Sequence, residues 1–127
     1  MSRAVLDASA LLALLNEEPG SHIVARHVPE AAMSAVNLCE VAGKLFEKGL
    51  AEQEIRGALE PLGFDIHPFD RELAYAAALL RLKTRSLGLS LGDRACLALG
   101  LRLHVPVVTA DGRWKSLRLG VMVRVIR

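Results

Sequence analysis

Residues 4–20 read Ala-Val-Leu-Asp-Ala-Ser-Ala-Leu-Leu-Ala-Leu-Leu-Asn-Glu-Glu-Pro-Gly. Ala4 to Leu6 is a short apolar run, Asp7 interrupts it, and Ala8 to Leu15 is then rich in Ala and Leu until Glu18, Pro19 and Gly20 stop the pattern. The stretch predicts a buried strand feeding a helix, with a carboxylate at the joint. The same alternation continues along the chain. Ser21 to Val28 suits a short helix and Ala31 to Met33 a brief buried strand, while Ser34 is placed to cap a helix that reaches Lys48 and is closed by Gly49. Ala51 to Leu62 reads as helix, Phe64 to His67 as extended, Asp70 as a second cap, and Leu73 to Ser86 as a long helix ended by Gly88. Ser90 caps a helix to about Leu103, Pro106 to Thr109 is a Val-rich strand, and Val121 to Ile126 is the last strand. Repeated alternation of this kind predicts an α/β fold: one three-layer domain over residues 1–127, with a mostly parallel sheet of about five strands covered by helices.

Composition narrows the class. The chain has 127 residues, 52% of them apolar and 24% charged, which suits one well-packed core and excludes a disordered chain. No stretch approaches the roughly 18 to 20 apolar residues that cross a bilayer. Asn16 ends the run from Ala8, and Arg102 ends the run from Ala95. Asp7 falls inside the one segment that resembles a signal-peptide core, and no cleavage site follows it, so the expectation is a cytoplasmic protein. Cys39 and Cys96 each lie in an apolar helical pattern and read as small buried hydrophobes, which argues against a disulfide framework, a zinc site or a thiol enzyme. Net charge is +2, with twelve arginines among the sixteen bases. Gathering four of the fourteen acids in one site leaves ten against those sixteen bases elsewhere, which makes a polyanionic partner plausible.

Ligands of open parallel sheets bind beyond the carboxyl ends of the strands. Asp7 follows the first strand directly, and Asp111 follows Val107-Val108-Thr109 by one alanine, so both carboxylates are expected at the same edge. Each has an ordinary explanation as well: Asp7 as a helix cap and Asp111-Gly112 as a turn. Asp93 falls near the middle of its helix's apolar face, among Cys96, Leu97 and Gly100, where a carboxylate needs a partner; a capping box with Ser90 is the alternative. Glu40, at the border of an apolar face, reads by itself as solvated. Together the four are more informative, because no lysine or arginine is obviously placed to pair them and clustered carboxylates repel. A bound cation resolves that repulsion. An all-oxygen donor set suits Mg2+ or Mn2+, and His22, His27, His67 and His104 show no ligand spacing. Ser9 and Thr109 are placed to hold a carboxylate or a metal-bound water. Arg94, Arg113 and Lys115 are the bases nearest the proposed site and are candidates to hold a polyanionic partner. Trp114 reads as packing in preference to base stacking, and Lys83 and Arg85 read as a solvated helix end.

Four blocks, Val5-Leu6-Asp7-Ala8-Ser9-Ala10-Leu11-Leu12, Ser34 to Leu38 with Glu40-Val41, Leu91-Gly92-Asp93-Arg94-Ala95 and Val108 to Trp114, occur in the order found in the PIN-domain ribonucleases. More narrowly, the chain resembles a VapC-type toxin of a toxin-antitoxin pair. The resemblance implies a doubly wound domain whose acids, by motif position Asp7, Glu40, Asp93 and Asp111, bind Mg2+ or Mn2+ and support hydrolysis of RNA phosphodiester bonds. It further implies a homodimer and a cognate antitoxin whose C-terminal segment covers the acidic site, often inserting a basic side chain. Leu97 stands where some members carry another acid, which puts a second protein-bound metal in doubt. Two other readings compete. An aspartyl-phosphate enzyme calls for a second acid where Ser9 stands and a lysine at a late strand end, whereas Lys115 comes four residues after Asp111. A non-catalytic domain of the same fold that binds RNA or protein keeps the acids without turnover.

Overall fold

A computed structural model describes all residues 1–127. Five short runs form the strands β1 (Ala4–Leu6), β2 (Ala31–Ser34), β3 (Asp65–His67), β4 (Val107–Thr109) and β5 (Val123–Val125). The helices are α1 (Ala8–Leu15), α2 (Ser21–His27), α3 (Ala35–Glu47), α4 (Glu52–Leu59), α5 (Arg71–Lys83) and α6 (Leu91–Leu103). The strands lie in the order β3-β2-β1-β4-β5, and every neighbouring pair is parallel. β1 therefore sits at the centre. The chain winds outward from it in both directions, so the crevice between β1 and β4 is the topological switch point.

Side-chain alternation sorts the layers. Ala4, Leu6, Ala31, Met33 and Val108 face a core built with α1 to α4, while Val5, Ala32 and Val107 face a second core built with α5 and α6. Trp114 is fully buried in that second core, so its ring is a packing element and is not offered to a nucleobase. Each fully buried Val or Leu in these layers contributes about 1.5–3 kcal/mol relative to exposure. No helix is long and apolar enough to cross a membrane.

The three expected caps form. The side chains of Ser34, Asp70 and Ser90 accept from the backbone N–H of Val36, Leu73 and Asp93. Several element ends differ from the sequence-based expectation. α2 yields at Val28 and α4 at Glu60 to 3-10 turns, each holding a proline that has no N–H to continue an α-helix. α5 starts at Arg71, directly after its cap, and stops at Lys83; the Thr84 hydroxyl donates back to the Leu80 carbonyl (2.8 Å), and the chain proceeds as a 3-10 turn, Arg85–Leu87. β5 is limited to three residues. One burial expectation also fails: Cys96 is buried, but Cys39 is exposed, on the outer side of α3.

Gly100 sets how closely α6, the helix that carries Asp93, lies over the sheet. A Cβ there would stand 2.5 Å from Val107 Cγ1 and 3.2 Å from Val121 Cγ2. Gly100→Ala should therefore push α6 off β4 and lower stability by about 1–3 kcal/mol in urea unfolding; an unchanged midpoint would show that the helix has slack to move.

Candidate metal-binding acidic site

The chain turns directly from β1 into α1, and Asp7 is the residue at that turn. Its backbone is extended, its side chain caps α1 by accepting from Ala10 N–H (2.8 Å), and only 4% of its surface is exposed. Two hydroxyls complete its environment. Ser9 Oγ donates within 2.8–2.9 Å of the two carboxylate oxygens, and Thr109 Oγ1 at the end of β4 donates to Oδ2 at 2.6 Å. Burial is the largest influence on this carboxyl; the Thr109, Ala10 and Ser9 hydrogen bonds offset part of it and the Asp93 charge adds to it, leaving the pKa near 6 against an ordinary 3.8. Ser9 Oγ also accepts from Ala110 N–H (2.9 Å) and Thr109 Oγ1 from Asp111 N–H (3.0 Å), so one hydroxyl pair fixes both Asp7 and the turn that carries Asp111. Ser9 and Thr109, both singled out in the sequence, donate to the Asp7 carboxylate.

Asp93 and Glu40 approach from the helices. Asp93 closes the capping box of α6: its Oδ2 accepts from Ser90 N–H (2.9 Å). Glu40, on α3, is exposed as a residue, yet its carboxylate rests on the α-carbon of Gly92, where any Cβ would overlap it. Asn37, one turn earlier on α3, is buried and donates through Nδ2 to Glu40 Oε1 (2.8 Å) and to the Gly92 carbonyl (3.0 Å). The Cys96 thiol lies close behind these groups: burial first, and then the charges of Asp7, Asp93 and Glu40, push its pKa well up. It is a neutral, inert thiol.

Asp111 is handled differently. Arg113 Nη2 donates to its Oδ2 (2.7 Å), Nε lies 3.1 Å from both oxygens, and the Arg113 backbone N–H donates to Oδ1 (3.0 Å). This fork holds the Asp111 carboxyl below the ordinary carboxylate range. Arg113 Nη1 also donates to the Leu87 carbonyl (3.0 Å), tying the Asp111 turn to the loop before α6. The expectation that no base pairs with the acids is therefore corrected: the guanidinium two residues beyond Asp111 reaches back to it. No three of the acidic, histidine or cysteine side chains stand close enough to one another to hold an ion. Of the candidate RNA contacts, Arg94 is partly buried and donates through Nη1 to the Ala77 carbonyl (3.0 Å), Arg113 is engaged as described, and Lys115 is exposed.

Asn37 and Gly92 were not singled out as site residues from the sequence. The signals were present: an amide three residues before Glu40 on one helix, and a glycine in the first turn of a capped helix, where nothing in helix formation calls for one.

The fold is a doubly wound α/β domain with Asp7 and Asp111 just beyond the carboxyl ends of β1 and β4, at its switch point. A profile of the PIN domain matches residues 4–119, and the chain belongs to that family. A search of curated protein sequences returns no significant match. Among solved structures, a toxin-antitoxin complex from Klebsiella pneumoniae aligns with a TM-score of 0.74 at 23% identity, covering 93% of this chain and 94% of the other. DNA-bound VapBC from Salmonella typhimurium aligns with a TM-score of 0.76 at 16% identity over 100% of both chains. VapBC-5 from Mycobacterium tuberculosis gives 0.61 at 23% identity, covering 100% of this chain and 99% of the other. At these identities the likeness is one of fold.

The raised Asp7 pKa carries a sign. The unfolded carboxyl releases its proton near 3.8 and the folded one near 6, so between those values the folded state holds the extra proton and stability falls as pH rises. Asp7→Asn carries no such proton. It should gain about 2 kcal/mol relative to the unsubstituted chain between pH 4 and pH 7, measured by urea unfolding without divalent ions. An offset independent of pH would rule out the buried carboxyl as the cause.

Proposed function

We propose that this PIN domain is a divalent-metal-dependent endoribonuclease, acting in the cytoplasm as the VapC-type toxin of a toxin-antitoxin pair. The observation that carries the reading is the Asp7 carboxylate, withdrawn from water at the end of the central strand and sharing its surroundings with Asp93 and Glu40. Burial makes a charge on Asp7 costly, a counter-charge beside it would lower that cost, and family membership supports the nuclease class. PIN domains are generally nucleases that depend on divalent metal. The structural neighbours whose names are toxin-antitoxin complexes support the partner, a cognate antitoxin, and the family resemblance supports a homodimer.

The chemistry of the donor set suits a hard ion: it is all oxygen, and the one thiol behind it is kept neutral. Asp7, Glu40, Asp93 and Asp111 would hold Mg2+ or Mn2+ once their side chains close on it, since no three of them stand within ligating reach of one another as they are placed. Such an ion would lower the pKa of a water and stabilise the charge that develops on a phosphate under attack. The chain's own groups prepare this chemistry. Ser9 and Thr109 orient Asp7 through hydrogens that point at its oxygens, and Asn37 with the bare α-carbon of Gly92 seats Glu40 against α6. Arg113 must release Asp111 before that carboxylate takes part, and its freed fork then suits a substrate phosphate. Arg94 and Lys115 add positive charge beside the same edge.

The test is cleavage of a mixed cellular RNA pool by the purified, antitoxin-free chain with Mn2+ or Mg2+ and with chelator, alongside Asp7→Asn. Cleavage should require the metal and fall by roughly two orders of magnitude or more in the variant. Folded protein that binds RNA and metal but leaves every RNA intact would overturn the nuclease reading and establish a binding domain.

A further inference from the structure

The α5–α6 junction carries a cluster of cations that the acidic site does not absorb. A cleft of about 280 Å3 opens between the end of α5 and the start of α6, with Arg81, Arg85 and Arg94 on its walls, together with Thr84 and Ser90, and with no acidic residue among its lining. Its arginines have little internal use. Arg81 and Arg85 are exposed and take part in none of the chain's ion pairs or side-chain hydrogen bonds. Arg94 is tethered to the Ala77 carbonyl through Nη1, but its Nε is buried and donates to nothing. An N–H in that position costs free energy unless an acceptor arrives. Three guanidinium groups around one cleft repel each other as well.

Geometry relates the cleft to the acids. Ser90, on its wall, is the residue whose N–H is capped by Asp93, and Arg94 is the next residue along α6. On its other flank, the Arg85–Leu87 turn is fastened to the Asp111 turn by the bond from Arg113 to the Leu87 carbonyl. The cleft therefore borders the acidic edge.

We propose that this cleft is a binding site for phosphodiester groups of single-stranded RNA that flank the bond at the acidic edge, with Arg81, Arg85 and Arg94 as its ligands. The inference rests on the ribonuclease reading and adds the direction in which the substrate backbone leaves the site. Arg85, which the sequence reads as part of a solvated helix end, becomes a substrate contact. Guanidinium forks match phosphate oxygens bidentately, so an array of them holds a backbone without reading its bases.

The experiment is fluorescence anisotropy with a labelled single-stranded RNA of mixed sequence, titrated by the full chain in chelator, where nothing is cut, across a series of salt concentrations. The double variant Arg81→Gln/Arg85→Gln should weaken binding roughly tenfold and reduce the slope of log affinity against log salt by about 1.4, the value for two lost phosphate contacts on a single strand. Arg26→Gln/Arg71→Gln removes the same charge from α2 and from the far end of α5, and it should keep the slope. Equal losses in the two double variants would overturn the proposal, since general charge would then explain the binding. A slope unchanged in both would overturn it too. Metal-dependent cleavage by the unsubstituted chain is scored separately, so the cleft can fail while the ribonuclease reading stands, and the reverse.

Discussion

The arrangement depends on taking one carboxylate out of water at the carboxyl end of β1. A buried carboxylate is tolerated only where donors replace its hydration. Here the donors come from both sides of the switch point: Ser9 and the Ala10 N–H from α1, Thr109 from β4. The parallel pairing of β1 with β4, Leu6 opposite Val108, brings the Thr109 hydroxyl beside Asp7. The same two hydroxyls then accept from the N–H groups of Ala110 and Asp111. Strand register and site geometry are one constraint seen from two ends.

Around that carboxylate, three other acids are each restrained by a donor of a different kind. Asp93 is held by the N–H of its own helix cap, Glu40 by a buried amide from the preceding turn, and Asp111 by a guanidinium two residues away. These restraints differ in strength. The Arg113 pair is charged on both sides but more than half of the Arg113 side chain is exposed, so solvent screening leaves it weak enough to exchange. The Asn37–Glu40 bond is neutral on one side and partly buried, and Asn37 also donates to the Gly92 carbonyl, so α3 and α6 are fixed to each other where Glu40 meets Gly92.

Much of this was legible in the sequence because it is local. The caps at Ser34, Asp70 and Ser90, the strand-to-helix turn at Asp7 and the alternation of short apolar runs with helices all depend on residues a few positions apart, and they form as expected. What escaped depends on contacts between distant segments. Asn37 and Gly92 are 55 residues apart, and neither shows its role until α3 lies across the start of α6. The end of α5 escaped for another reason: Gly88 marks where the winding chain stops but not where it tightens, and Arg85 to Leu87 form a 3-10 turn before that glycine. Cys39 follows an apolar rhythm but falls on the side of α3 that no layer covers.

The opposite perturbations of Asp7 and Asp111 set two neighbouring strand ends apart. Burial pushes Asp7 up to about 6, while the Arg113 fork pushes Asp111 down. At neutral pH Asp7 is ionised against the cost of its burial, with only neutral donors to offset it, so it gains most from any positive charge brought to this edge. Asp111 already has a guanidinium, and a second cation would give it only the difference between the two. The edge is therefore asymmetric: one carboxylate lacks a counter-charge, and the other carries its own.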